Sequence, residues 1–409
     1  AEKAGNADGT IPPYTGGIGL DKVPPGFDRK TMLLPNPYAD EKPLYSIDAK
    51  NMDQYSDKLT EGSKALFAQY PDYRMDVYPT HRTVAISDRV AEHTRKSAAN
   101  AILENDGKKL TGAANGFPFP MPKNGLEAIW NHLLRWSSPG DGVNHYQSFV
   151  VTAAGRRIMT SEGNDYLDYP YWGDDNQNKG FLCRINDTLV GPANRNGEKL
   201  IWFLKTDKTN GDPAWQYLPG QRRVKMAPEI SYDGPNTTVA GASTYDDAFV
   251  YSGSPDRYEW KILGKKEIFV PYNNYKLLYH STPEEAITPK HLNPDTTRWE
   301  LHRVWVVEAT LKSGMRHIYV RRTVFIDEDS WIALSADCFD NKNQIYRCAF
   351  SGMVFNPDLM APYSLTYWGY DLIGSIYYVN VFLIGPNLEP VLFPESYWNP
   401  QMLAGSGLR

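Results

Sequence analysis

From Asn144 to about residue 395, short β-branched and aromatic runs follow one another, separated by clusters of Asn, Asp, Ser and Gly. The pattern predicts strands at His145–Ala153, Lys199–Lys205, Tyr258–Val270, Leu301–Leu311 and His317–Ile326. Turns are expected at Gly163–Asn164–Asp165, Asn194–Arg195–Asn196–Gly197, Asn210–Gly211–Asp212–Pro213 and Ser313–Gly314; Asn-Gly and Ser-Gly pairs between such runs favour hairpins, hence antiparallel pairing. The clearest stretch is Arg321 to Phe350. Val324–Ile326 runs into an Asp327–Ser330 turn, Trp331 to Cys338 climbs back, and Phe339–Asn343 turns the chain into Gln344–Phe350.

One strand is apolar on both faces. Leu301, Trp305, Val307, Ala309 and Leu311 alternate with Val304 and Val306, as in a barrel wall that is covered on both sides.

Residues 46–136 carry the helical period instead. Thr60 is placed to cap a short helix running to Tyr70. Ser87 caps a longer one over Asp88–Glu104, ended by Asn105–Asp106–Gly107. The strongest helix begins at Asn124, with Leu126, Ile129, Trp130, Leu133 and Leu134 on one face, and it stops after Trp136. Residues 1–45, rich in Pro and Gly, read as an extended arm laid over a body; the interleaved Ile11, Tyr14, Ile18, Phe27, Leu33 and Tyr38 favour docking over a disordered tail. The expected architecture is therefore α+β, mostly β. An arm (1–45) precedes a single domain (46–409), made of a helical cover segment (46–136) and an antiparallel meander (144–395).

Composition sharpens this in one respect. The 409 residues include 11 Trp, 27 Tyr and 15 Phe, which suits pleated surfaces and an aromatic-lined concavity without naming its ligand. A net charge of −5 favours neither nucleic acid nor an anionic membrane as partner. Cys183, Cys338 and Cys348 leave at least one thiol unpaired. Hairpin register places Cys338 opposite a residue near 345 and Cys348 opposite one near 335, an awkward geometry for a bridge. The apolar stretch Leu372–Gly385 is too short to span a bilayer. The first residues lack a charged and then apolar segment, so a signal peptide is either absent or already removed.

Candidate chemistry is thin. The eight histidines form no HxH or HxxxH pair, and no metal site is expected. Residues 174–179 begin like a calcium loop, but Lys179 stands where glycine is needed and Ile185 where a bidentate Glu is needed. No nucleophile elbow or phosphate-binding glycine loop is present. Asp246/Asp247 and Glu284/Glu285 are the adjacent carboxylates that could serve a glycosidase, although sequence adjacency says nothing of spacing across a cleft. No cofactor and no catalytic residue is expected. Asn186–Thr188 and Asn236–Thr238 match glycosylation sequons, which occur often by chance.

Four segments carry a resemblance: residues 1–17 (AEKAGNADGTIPPYTGG), 117–136 (FPFPMPKNGLEAIWNHLLRW), 216–224 (QYLPGQRRV) and 321–340 (RRTVFIDEDSWIALSADCFD). With them the chain resembles a Gram-negative family of unknown function whose members are described as outer-membrane lipoprotein-sorting proteins. The resemblance implies a fold similar to the carriers LolA and LolB: a strongly curved antiparallel sheet forming an unclosed half barrel, with helices covering the concave side. It further implies a periplasmic setting, with possible association with the outer membrane, and a partnership with an inner-membrane exporter or outer-membrane protein. The chain lacks an acylated N-terminal cysteine, which speaks against a membrane-anchored receptor.

The expected function is a non-enzymatic binder or carrier of a lipid, a lipoprotein acyl chain or another hydrophobic small molecule. Its expected ligand contacts are Ile129, Trp130, Leu133 and Leu134 on the helix, with Trp202, Trp305 and Trp331 from the wall. The alternatives are a structural partner of an envelope complex with a self-filled cavity and, less favoured, a carbohydrate-active enzyme.

Overall fold

The computed structural model describes residues 2–18, 27, 33–173, 180–228, 230, 232–357, 359–385 and 388–405. The calcium-like loop at 174–179 and part of the proline-rich arm (19–26 and 28–32) lie outside the described residues.

Two meanders build one sheet. The first runs Gly140–Val151, Arg157–Asp168, Phe181–Gly191, Lys199–Lys205, Ala214–Leu218, Arg223–Met226, each strand antiparallel to the next. The second runs Tyr258–Pro271, Trp299–Leu311, Arg321–Asp327, Ala333–Phe339, Ile345–Ser351, Tyr367–Asp371, Ile376–Leu383. They are sewn together where Ile376–Leu383 pairs antiparallel with Gly140–Val151. Among the described residues the end strands Arg223–Met226 and Tyr258–Pro271 do not pair with each other, so the sheet is not closed into a barrel. Tyr45–Asp48 and Arg74–Val77 extend it past the start of Trp299–Leu311 through one parallel pairing, Trp299 with Val77.

Strand alternation sends successive side chains to opposite faces. Leu301, Val307 and Ala309 join the main core, whereas Val304 and Val306 join a separate cluster with Val84, Ala85 and Tyr272 on the other face. That strand is covered on both sides, as its apolar pattern requires. The arm docks along this strand: Ile11 is buried in the main core, Arg303 donates to Glu2 (2.9 Å), and the Tyr14 hydroxyl donates to the Val84 carbonyl (2.9 Å).

Helix α1 (Glu61–Gln69) is capped by Thr60, as its sequence predicts, and the Gly62 N–H donates to the buried Asp337 carboxylate (3.0 Å). Arg322 pairs in register with Cys338, the residue next to Asp337, and reaches the 227–257 segment through Asp246. Alternation therefore puts α1 and that segment on opposite faces. Helix α2 (Asp88–Asn100) starts at Ser87 but stops four residues short of the predicted end. Asn105, Asp106 and Gly107, all at positive φ, instead turn a small hairpin between Ile102–Glu104 and Lys109–Thr111. An Asn-Asp-Gly turn ends a helix or closes a hairpin equally well.

Helix α3 (Gly125–Leu133) lies on the inner face. The Asn124 side chain caps it by accepting from the Glu127 N–H (2.9 Å), and the Glu127 carboxylate accepts from the Lys123 N–H (2.7 Å). Its first residue has to be small: a Cβ on Gly125 would sit 2.5 Å from Lys261 N and 2.6 Å from Trp260 C, both backbone atoms of a strand. Gly125→Ala is expected to push α3 off the sheet and cost about 1–3 kcal/mol in urea unfolding. An unchanged midpoint would mean that the helix does not seat so closely.

Two further expectations shift. The Gly163–Asn164–Asp165 turn is absent, because these residues continue the strand Arg157–Asp168 through a register shift at Glu162/Gly163. Trp331 does not open a strand. It sits at φ +61° at the end of the turn in which Asp327 accepts from the Ser330 N–H (2.9 Å) and hydroxyl (2.6 Å), and pairing resumes at Ala333. Cys338 pairs with Arg347 and Cys348 with Asp337, two positions from the expected register; all three cysteines are free and buried.

Candidate ligand-binding site

The inner face of the first meander is roofed by residues 227–257, a segment with three short 3-10 turns that projects Tyr245, Phe249 and Tyr251 into the main core. Beneath this roof and beyond its edge the chain leaves a series of spaces that share walls; no residue of 227–257 lines the first of them. At one end, Arg89, Tyr169, Trp172, Arg184 and Phe393 border a cavity of about 600 Å³. Two crevices of about 10 Å³ follow, one along Arg135, Asp141, Tyr169 and Phe249, the other along Leu133, Arg135, Trp172, Cys183 and Phe249. Beyond Phe249 lies a pocket of about 70 Å³ between Tyr146, Asp165, Asp187, Trp202, Tyr245 and Tyr367. Trp202 and Tyr245 separate that pocket from a final space of about 30 Å³. Only the first volume falls in the usual range for ligand sites; the crevices hold about one water each.

Phe249 divides this series, and its backbone is unusual. Phe249 (φ +55°) and Val250 (φ +71°) both lie in the left-handed region, where a β-branched residue is rare. The Phe249 ring covers the Arg135 guanidinium, whose carbon is 4.4 Å from the ring centroid.

The floor is fixed. His132 accepts from the Ala333 N–H at Nδ1 (3.0 Å), which leaves Nε2 to donate to the Tyr251 carbonyl (2.8 Å). That geometry requires the neutral ring, and burial, reinforced by nearby Arg135, pushes its pKa down to about 3. Trp130 donates from Nε1 to the Gly107 carbonyl (2.8 Å), and Asn131 exchanges two hydrogen bonds with the Phe119 backbone. Ile129, Trp130, Leu133 and Leu134 are buried in the same core. Of the expected contact residues, only Leu133 and Trp202 border the cavities described above. Trp331 is buried, and Trp305, half-buried, stacks on it (5.9 Å between ring centroids) beneath Lys265.

Carboxylates line the interior, and two of them face one another in register, Asp165 opposite Asp187. The Tyr146 hydroxyl donates to Asp187 (2.8 Å), whereas Asp165 Oδ1 and the Trp202 N–H are buried without a hydrogen-bond partner. Burial raises both acids, Asp187 to about 6. Asp165 was hidden from sequence reasoning because Gly-Asn-Asp reads as a turn; Arg135 was hidden because it ends an otherwise apolar helix face.

The adjacent acids singled out from sequence do other work. Asp246 and Asp247 are buried against Arg322 (2.7 and 3.2 Å), and Glu285 caps the helix Pro283–Ala286. His302, Asp327 and Asp329 lie close together, but Asp329 is held by Arg82 (2.6 Å) and His302 by Glu300 (3.0 Å).

Among the described residues no helix is long and apolar enough to cross a membrane. A curated relative, an uncharacterised protein of Pseudomonas aeruginosa, is 40% identical over 391 residues, covering 92% of this chain and 83% of the relative. Solved structures with partial likeness include a DUF1329 family protein from Desulfovibrio piger (TM-score 0.46, 16% identity, 65% of this chain and 92% of that one). Another is a putative outer membrane lipoprotein-sorting protein domain from Vibrio parahaemolyticus (0.47, 15%, 68% and 98%). A third is a LolA superfamily protein from Nitrosomonas europaea (0.41, 10%, 68% and 98%). Residues 46–404 match the model of the family described as "Protein of unknown function (DUF1329)", and with that span and that relative the chain belongs to this family.

Proposed function

We propose that the protein is a non-enzymatic binder or carrier of a hydrophobic molecule, acting in the periplasm, the setting that the sequence resemblance implies. The observation behind this is the run of aromatic-walled spaces from the 600 Å³ cavity, past Tyr169 and Phe249, to Trp202. The ligand enters at the large cavity and displaces Phe249 to lie against Trp202. Ile129, Trp130, Leu133 and Leu134 form the packed floor beneath it, with Trp331 and Trp305 behind. Removing apolar surface from water supplies the affinity, at about 25 cal/mol per Å².

Native mass spectrometry of protein purified from a Gram-negative host tests the reading, together with titration of the apolar dye 1-N-phenylnaphthylamine. Phe249→Ala merges the crevices with the Trp202 pocket and is expected to raise dye affinity several-fold. If neither protein carries a lipid nor brightens the dye, the carrier reading is wrong.

A specific observation favours a second reading, a structural partner with a self-filled interior. The floor of the site is hydrogen-bonded throughout, and the spaces around Arg135 and Trp202 amount to 10–70 Å³. The same volumes leave no room for a sugar ring between Asp165 and Asp187, which disfavours glycosidase chemistry there.

A further inference from the structure

Among the described residues Arg135 is a buried cation without an ion pair. It is 9% exposed and follows Leu134, the C-cap of α3, where the chain turns toward Gly140. Its hydrogen bond runs from Nη1 to the His132 carbonyl (3.3 Å), and among the described residues it makes no ion pair. It borders two of the crevices, with Ser137, Ser138 and Asp141 beside it in one of them. The contrast with the other buried guanidiniums is clear: Arg82, Arg184, Arg298, Arg303 and Arg322 each hold two carboxylates.

A buried guanidinium that lacks a counter-charge is costly unless something else supplies one. Asp141 does not reach it. The Ser138 hydroxyl donates to Asp141 Oδ2 (3.1 Å), and Asp141 Oδ1 has no partner. Burial pushes this acid up to about 7, so near neutral pH about half of it is uncharged and able to donate. What covers Arg135 is the Phe249 ring, a weak and replaceable partner for a desolvated cation. Strained backbone at Phe249 and Val250 is the kind of feature that accompanies a segment with a second arrangement.

We propose that Arg135 receives the anionic head group, a carboxylate or a phosphate, of an amphiphilic ligand whose chain lies in the adjoining spaces, and that Phe249 caps the guanidinium until the ligand arrives. The planar fork of the guanidinium matches two oxygens of either group. Ser137, Ser138 and the free oxygen of Asp141 complete a polar end to a site that is otherwise aromatic. This inference rests on the carrier reading and specifies its ligand.

Three ligands with one tail separate the possibilities: dodecanoate, dodecyl phosphate and dodecanol, titrated calorimetrically into the full chain. The expected result is that at least one anion binds tenfold or more tighter than the alcohol, and the stronger of the two identifies the head group. Arg135→Gln should reduce the anion to the affinity of the alcohol while leaving the alcohol within about twofold; Arg135→Lys should retain part of the preference. If alcohol and anions bind the wild type equally, the head-group inference is overturned and the carrier reading stands. If none binds, both fall. Should Arg135→Gln lose its cooperative melt, the wild-type preference and Arg135→Lys still decide the matter.

Discussion

Replacing Arg322 with Met is expected to cost about 3–5 kcal/mol in urea unfolding, because it leaves two buried carboxylates without their cation. Arg322 is 1% exposed and sits 2.7 Å from Asp246 and 3.2 Å from Asp247, while His317 and Tyr319 add hydrogen bonds of 3.0 and 2.9 Å. Burial would raise Asp246, but Arg322, with help from His317 and Thr244, holds it well below the usual carboxylate range. This group ties the roof over the inner face to the strand Arg321–Asp327, so its loss should also loosen the 227–257 segment. A cost below about 1 kcal/mol would place the cluster in the class of solvated surface pairs and overturn the description of a sealed interior.

Stability should rise as pH falls from 8 toward 5, the reverse of the behaviour produced by paired acids. Burial pushes Asp141 and Asp337 up to about 7, and Asp187 and Asp327 up to about 6. Unfolded aspartates titrate near 4. Between about pH 4 and 7 the folded chain therefore holds protons that the unfolded chain has released, and stability falls as pH rises through that window. Asp246 and Glu300 act in the opposite sense. The folded values of these two acids are depressed, so their contribution is present above pH 4 and is lost only in stronger acid. Buried, neutral His132, by contrast, costs stability below about pH 6.5 and offsets part of the gain. The optimum is expected near pH 5, with a gain on the order of several kcal/mol over pH 8. Denaturation at closely spaced pH values, repeated with Asp337→Asn, checks this. The variant should flatten the upper part of the curve, and a level profile for the wild type would contradict the raised values that burial gives these acids.

The wall of the fold was legible because its strands repeat with period two and one is apolar on both faces. Leu301 to Leu311 shows this most clearly, since the two sets of side chains predicted by alternation enter two different cores. Helix α3 was legible from its cap and its apolar stripe. What sequence could not supply is how full the inner face is. The 227–257 segment has no strong helical or strand period, so its part as a roof, and the placement of Phe249 over Arg135, depend on long-range contacts alone. The same holds for Trp305 and Trp331. Their residue type fits a ligand wall, yet left-handed backbone at Trp331 turns it toward another ring and away from the open spaces.

The seam between the two meanders has a consequence for how the chain acquires its shape. Gly140–Val151 is made more than 200 residues before Ile376–Leu383, its neighbour across the seam. Until then a twelve-residue strand presents an unmatched row of amides and carbonyls, the sort of template that draws in other chains. Maturation should therefore be slow and sensitive to concentration, and a general holding chaperone should improve the yield until the seam closes.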